Sequence, residues 1–443
     1  MNAKRRVSSA PPKGWARWLY SGALYALSPL IWRRVWREQV ATHSRCERLG
    51  SVPGANAATL WLHAASVGEV IAARPLIEAL RNRYPAHRLV VTTMTATGAE
   101  RVEALFKDEV IHHFVPLDFP GASRRFVSTL APELAIFFET ELWPNLLEAC
   151  HRQGVPVAVV NGRLSARAMR GYRRLGALMI NALAKVDWLA AKSSEDAGRF
   201  RELGMPGERV DVVGSLKFDI DVDARVHGES ERLRTSFGTR PVWIAASTHP
   251  GEDEQVLAAH RRVRGQYPHA LLILVPRHPQ RFDDVAALCR ERGESLARRS
   301  RSEPVQGETT VYLGDTMGEL MSLYGAADVA FVGGSLVPVG GHNLLEPAIL
   351  GVPVLSGPEL ANFSDVAEVL HSADALMEVA DAEALGAAVS DLFASSEKRL
   401  RQGKAGKAAV MAQRGALVRT LDGLERLLPR PSRVTDTERM NSQ

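Results

Sequence analysis

Acids and glycines that follow apolar runs carry most of the chemistry open to this sequence. The run ATLWL leads into HAASVGEV, His63 to Val70. Ser66 and Glu69 have the S-x-x-E spacing of a helix capping box. The same glutamate stands at a strand end, where α/β proteins build their active sites. Cap and proton acceptor are both open readings of Glu69. In FFETELWPN, Glu139 and Glu141 again follow an apolar run, ahead of a proline suited to the first helical position. Capping and binding of a polar ligand are equally open for these two. In NGRLSARAMRGYRRLG, Arg163, Arg167, Arg170 and Arg174 are spaced i, i+4, i+7, i+11, one face of a helix. Solvation is the usual fate of such a face. Like charges so close repel, however, so an anionic partner is expected, and guanidinium suits phosphate.

The second half holds the most specific stretch, DVAFVGGSLVPVGGHNLLEPAILGVPVLSGP, Asp328 to Pro358. Gly333-Gly334 end an apolar run, and Gly340-Gly341 precede HNLLEPA, which reads as a helix start. Glycines at positive φ let backbone amides approach an anion, and a helix N-terminus adds the positive end of its dipole. The pattern predicts a phosphate cradle that needs no metal, with His342, Asn343 and Glu346 behind it and Glu346 placed to accept from ribose hydroxyls. STHPGE (Ser247 to Glu252) and PRHP (Pro276 to Pro279) end two further apolar runs and should converge there, bringing Arg277 to an anion. His249 and His278 lack a third ligand at a recognisable spacing, so zinc is not expected. In GDTMGEL, Asp315 or Thr316 is expected to cap a helix. FDIDVD contains D-x-D twice, but between the halves, and reads as solvated linker acids.

These loops need a scaffold, and the sequence repeats one. WLHAASVGE at 61–69 and WIAASTHPGE at 243–252 are each an apolar strand, a polar turn and Gly-Glu opening a helical pattern. Both helices run to a Tyr-Pro and a further apolar strand. Continuous apolar runs bounded by glycine and polar turns, such as ELAIFF, VPVAVVNG and GVPVLSG, are strands buried on both faces. The expectation is an α/β protein of two doubly wound Rossmann-like domains facing a cleft, at 41–215 and 241–428. Residues 216–240 form a polar linker without a helical stripe, and the tail 429–443 is expected to be disordered.

Composition sets outer limits. The 443 residues are 46% apolar and 24% charged with a net charge of +5, a folded protein for which nucleic acid is not demanded. Cys46, Cys150 and Cys289 are odd in number and widely spaced, which favours reduced thiols on the cytoplasmic side. Residues 1–40 stand apart: a basic lead, then WARWLYSGALYALSPLIWRRVWR. Its apolar core from Trp18 to Ile31 is about 14 residues, short of the roughly 20 needed to span a bilayer. Aromatics at both ends and the following Arg33, Arg34 and Arg37 suit an interface with anionic headgroups. Membrane attachment by an N-terminal membrane-associated helix, with the bulk of the chain in the cytoplasm, is the expectation. The competing reading is a first helix packed on the globular body. A cleaved signal peptide is disfavoured, because no clean A-x-A site follows.

Together, HAASVGE, ETELWPN, NGRLS, LKFD, STHPGE, PRHP, GDTMGEL and GGSLVPVGGHNLLEP resemble, in order, the motifs of the 3-deoxy-D-manno-octulosonic acid (Kdo) transferases. The likeness runs from residue 63 to about 347; one departure is Ser215 in GSLKFD, where the family has Asn. The resemblance implies a GT-B glycosyltransferase, inverting, metal-independent and without cofactor, on the cytoplasmic side of the inner membrane of a Gram-negative bacterium. Its implied partners are CMP-Kdo as donor and a phosphorylated, acylated lipid A precursor as acceptor. Implied donor contacts are Ser247, His249, Arg277, His278, Gly314, Met317, Ser335, Gly340, Gly341, Asn343 and Glu346. Ser66, Gly68, Glu139, Glu141, Arg163 and Arg167 would meet the acceptor, and Glu69 matches the family's catalytic base. Competing readings are a GT-B enzyme using a UDP-sugar, a sugar-nucleotide epimerase, and a non-catalytic membrane-associated binding module.

Overall fold

A computed structural model describes residues 14–37, 40, 43–54 and 57–428; the lead before Gly14 and the tail from Pro429 lie outside them. The chain forms two compact units, one reaching to Asp219 and resuming at Gly415, the other Ile220–Arg414.

The first unit is built on seven parallel strands: β1 (Thr59–His63), β2 (Arg88–Thr93), β3 (Ile111–Phe114), β4 (Leu134–Phe138), β5 (Val157–Gly162), β6 (Trp188–Ala191) and β7 (Val210–Val212). Their order is β3-β2-β1-β4-β5-β6-β7, so the winding reverses between β1 and β4. Every residue of β1, β4, β5 and β6 is buried, as expected of strands covered by helices on both faces. Ser66, Thr95, Ser165 and Ser193 each accept the amide three residues on and start a helix on the sheet.

The second unit repeats the plan with β8 (Val242–Thr248), β9 (Leu271–Pro276), β10 (Leu296–Arg298), β11 (Val311–Leu313), β12 (Val329–Val332), β13 (Val354–Ser356) and β14 (Leu376–Glu378). The order is β10-β11-β9-β8-β12-β13-β14, all parallel, with the reversal between β8 and β12. The internal echo is therefore structural. Trp61 pairs with Val90 and Trp243 with Leu272, the same sequence separation in each unit, and both tryptophans are fully buried.

Two boundaries differ from the sequence expectation. Residues 216–240 are no loose linker, since Ala224–Phe237 is a helix that buries Ser230, Leu233 and Phe237. Three buried positions spread through polar sequence are too sparse to show as a stripe. The helix Ala416–Glu425, expected to close the second domain, belongs to the first unit. Leu421 and Leu424 join the core containing Val70, Leu76 and Trp188, and Asp219 accepts the Gly415 and Leu417 amides at 2.6 Å each. The D-x-D acids are thus structural: Asp219 holds this helix, Asp221 pairs with Arg414, and Asp223 caps Ala224–Phe237.

The N-terminal segment folds as two helices, Trp15–Ala26 and Ser28–Arg37. Among the described residues no helix is long and apolar enough to cross a membrane. The first helix is inverted relative to a soluble surface helix. Arg17 and Ser21 are buried against Asn145, with Arg17 also 3.4 Å from Glu148, while Trp18 (68%) and Leu19 (66%) are exposed.

Gly423 faces the Trp188 ring so closely that a Cβ there would lie 2.1 Å from Cη2. Helix propensity alone favours alanine over glycine by about 1 kcal/mol. Overpacking costs about 1–3 kcal/mol, and the wall is a rigid indole. Gly423→Ala is therefore expected to lower stability in chemical denaturation, against the propensity trend.

Candidate functional site

In the first unit the loops after β1 and β4 meet at the point where the winding reverses. Ser66 caps the helix Val67–Arg83, and Glu69 lies in its first turn. The Glu69 carboxyl folds back: Oε2 accepts from the Ala65 amide at 2.8 Å and Oε1 from Ser66 Oγ at 2.9 Å. Burial pushes its pKa up to about 7, with Glu141 and Glu139 adding to the rise against the two hydrogen bonds. A carboxylate has about four acceptor sites. Two are used here, so capping leaves Glu69 able to take a proton. Gly68 beside it is exposed, and a Cβ there would make only an ordinary contact with Ser66 Oγ at 3.9 Å.

Glu141 is also raised by burial, although the Trp143 indole donates to its Oε2 at 2.8 Å. Glu139 sits at φ +60°, a left-handed conformation rare for a non-glycine residue. Asn161, at the end of β5, has φ +53°. Such strain at strand ends around a concentration of acids is characteristic of functional sites. The Ser215 hydroxyl is buried without a partner, as is Asn161 Nδ2, although Asn161 Oδ1 accepts the Leu216 amide.

The arginine face is smaller than expected. The helix is Ala166–Leu175, capped by Ser165, so Arg163 precedes it and only Arg167, Arg170 and Arg174 lie on it. Ser165 starts the helix only at Ala166, because its hydroxyl accepts the Ala168 amide as the N-cap. All four arginines are exposed, and none has an ion-pair partner among the described residues.

In the second unit the ends of the adjacent strands β9, β8 and β12 gather His249, His278, His342 and Arg277. His249 and His342 stack at 5.0 Å with Nε2 atoms 2.8 Å apart, and His278 meets His249 edge-on at 5.2 Å. Burial pulls His342 down to about 4 and lowers His249, helped by Arg277 and the neighbouring rings. The His342 imidazole is therefore neutral near pH 7. Burial raises Glu346, opposed by the Asn343 amide at 3.1 Å and by Arg277. Ser247, next to last in β8, has φ +58°.

The glycine cradle is real but already holds an anion. Glu252 is fully buried, and its carboxylate accepts from the His249 amide at 2.9 Å, Gly334 at 2.7 Å, Ser335 at 3.0 Å and Leu336 at 2.9 Å. Gly334, at φ +67°, leaves room for the His342 ring, which a Cβ would meet at 2.8 Å. The helix after HN is only Leu345–Ile349, too short for a substantial dipole at its start. Ser335 is buried, bonded through Oγ to Val332 O and the Gly357 amide, so its hydroxyl ties two strand ends together. Gly340 and Gly341 (φ +97° and +77°) turn the loop back, Gly341 donating to Gly334 O at 2.7 Å.

Gly314 and Met317 lie after β11, two strands from β8; Gly314 packs against Val275 and Leu323, and Met317 is exposed. Asp315 is no cap here. It binds Arg298 and Ser300, and the helix begins later, at Leu320. Reading the sequence for sites missed Glu252, although the shared Gly-Glu of the two echoing loops was its signal.

Removing the Glu252 carboxylate would orphan four amides, one in its own loop and three in the loop after β12. At about 1–3 kcal/mol for each unsatisfied buried group, Glu252→Ala is expected to cost at least about 3 kcal/mol and to raise the donor KM. Glu252→Gln should be intermediate in denaturation.

Sequence comparison agrees with this layout. Residues 43–220 match the family described as 3-deoxy-D-manno-octulosonic-acid transferase (kdotransferase), and residues 239–409 match glycosyl transferases group 1. A 3-deoxy-D-manno-octulosonic acid transferase of Haemophilus influenzae is 41% identical over 94% of this chain and 99% of its own. One of Bordetella pertussis is 39% identical over 92% and 99%. The crystal structure of UDP-GlcNAc 2-epimerase from Neisseria meningitidis is 12% identical with a TM-score of 0.55, covering 83% of this chain and 100% of that one. That likeness concerns the fold alone, two parallel-sheet α/β domains of the GT-B kind. The chain belongs to the 3-deoxy-D-manno-octulosonic acid (Kdo) transferase family and is a glycosyltransferase.

Proposed function

We propose that this glycosyltransferase moves Kdo from CMP-Kdo to a phosphorylated, acylated lipid A precursor in lipopolysaccharide biosynthesis, with inversion and without a metal ion. The observation that carries this reading is Glu69, a carboxyl raised to about 7 at the end of β1, with open acceptor sites and an exposed glycine beside it. A base with that affinity is half ionised at neutral pH, where general-base catalysis is most effective. It takes the proton of an acceptor hydroxyl as that oxygen attacks the anomeric carbon of Kdo, opposite the departing CMP.

CMP leaves with growing negative charge on a phosphate monoester. Glu252 saturates the Gly334–Leu336 amides, so stabilisation falls to the Arg277 fork and N–H donors of His249, His278 and His342. Glu346 and Asn343 form a hydrogen-bonded pair suited to sugar hydroxyls. Exposed Arg163 and Arg167, without ion-pair partners among the described residues, suit the acceptor's phosphates.

Attachment to the cytoplasmic face of the inner membrane is part of the same proposal. Trp15, Trp18, Leu19 and Tyr25 are exposed on one helix, Leu27 and Leu30 follow, and Arg33 and Arg37 come next. An outward apolar face with aromatics and adjoining arginines fits an interfacial helix.

Incubating the purified protein with CMP-Kdo and a tetraacylated lipid A precursor in excess EDTA is expected to yield Kdo-lipid. No product would sink the donor–acceptor reading, product from a UDP-sugar instead would favour the competing enzyme, and loss of activity only with EDTA would sink metal independence. Glu69→Gln is expected to lower kcat by about 10²–10⁴ while donor binding persists in calorimetry; near-normal turnover excludes the base. Only ionised Glu69 accepts a proton, so kcat/KM should fall as pH drops through about 7. Replacing Arg163 and Arg167 together should raise acceptor KM and leave donor KM unchanged.

A further inference from the structure

His63 stands one turn of loop ahead of Glu69, and nothing above uses it. It is the last residue of β1 and fully buried. Its Nδ1 lies 3.1 Å from the Thr92 carbonyl oxygen and 3.0 Å from Thr92 Oγ1. A carbonyl only accepts, which puts the ring proton on Nδ1 and a lone pair on Nε2. The Thr92 hydroxyl meanwhile accepts from the Trp61 indole at 2.9 Å. Nε2 is buried with no hydrogen-bond partner. A buried polar atom left so is rare and calls for an explanation.

The polar group it faces is Glu141, whose Oε2 is 3.9 Å away. That is about 1 Å too long for a hydrogen bond and too short for an intervening water. A small rotation of the Glu141 side chain closes it. The Trp143 indole already donates to the same oxygen. A protonated Oε2 can accept from Trp143 and donate to His63 together.

We infer that His63 is a positioning residue that, through its Nε2 lone pair, holds a proton on Glu141 and so keeps the neighbouring Glu69 ionised and able to act. The inference rests on Glu69 being the base. Three acids crowd this place: Glu69 feels both Glu141 and Glu139, and Tyr172 also faces Glu141. Arg48 is the cation that acts on His63, and together with burial it keeps the ring neutral. A neutral Glu141 removes its own part of the rise in Glu69 and leaves burial, the largest cause, and Glu139 to hold it up. The proton stays on Glu141 Oε2, which donates it in a hydrogen bond to the His63 Nε2 lone pair, so no net transfer is needed.

The test is the pH profile of kcat/KM for His63→Phe and His63→Gln, with ring ¹⁵N shifts of His63 in the unaltered protein. Phenylalanine removes the acceptor, Glu141 ionises more readily, and its charge raises the pKa of Glu69. The acid limb is expected to move up by about one pH unit, the effect of one added carboxylate nearby. Glutamine, whose amide oxygen accepts, should return the limb towards its original position. The ¹⁵N shifts should show a neutral ring with Nδ1 protonated and Nε2 bare at pH 7. An unmoved acid limb in a folded His63→Phe protein, an imidazolium, or a proton on Nε2 would overturn the inference. Should His63→Phe fail to fold, the ¹⁵N shifts decide. Near-normal turnover by Glu69→Gln would instead overturn the base itself, whatever His63 does.

Discussion

Strands that run parallel and are buried on both faces can be polar only at their ends. Both sheets obey that constraint, and the chemistry follows from it. β1, β4 and β5 are buried throughout in one unit, and β8 and β9 in the other. Along these five strands the one imidazole, His63, stands at an end and acids and arginines lie in the loops beyond, while parallel winding puts the carboxyl ends of all strands along one edge. Where the order reverses, between β1 and β4 and between β8 and β12, two loops part and a polar group can stand between them. His63, Glu69, Glu139 and Glu141 occupy the first such place; His249, His342 and Glu252 occupy the second.

Glu69 and Glu252 show how one scaffold position takes opposite roles. Each follows a glycine after the first strand of its unit. Glu69 has two hydrogen-bond donors and two acidic neighbours, so its charge is poorly supported and its proton affinity rises. Glu252 has four backbone amides and is sealed from solvent. It is an internal anion that shapes the glycine loop. Number and kind of donors, rather than residue type, separate a base from a brace.

The N-terminal helices are tied to the same region. The fully buried Asp118 accepts the Asn145 and Leu146 amides at 3.0 and 2.8 Å, and so caps the helix that follows Glu141 and Trp143. Tyr20 of the first helix also bonds to Asp118, and Arg17 donates to Asn145. Burial raises Asp118 to about 7 despite these donors. Polar residues thus hold the helix to the body, which frees its aromatic face to point outward. Of the two readings of that segment, the packed helix describes its buried side.

Much of this was legible in the residue order. Continuous apolar runs, glycines and serine caps marked the strands and helix starts, because local propensity and burial on both faces leave a direct imprint on composition. The echo of WLHAASVGE in WIAASTHPGE carried the twin architecture, and the motif series carried the family. Local order could not show partners distant in sequence. Whether Ala416–Glu425 closes the second unit or returns to the first depends on which core accepts Leu421 and Leu424. That the glycine amides serve Glu252 rather than a phosphate depends on loops about 80 residues apart. Residue types alone determined what each loop could bind; only folding decided which group fills each place, because a buried charge takes whichever donors the tertiary structure brings within 3 Å.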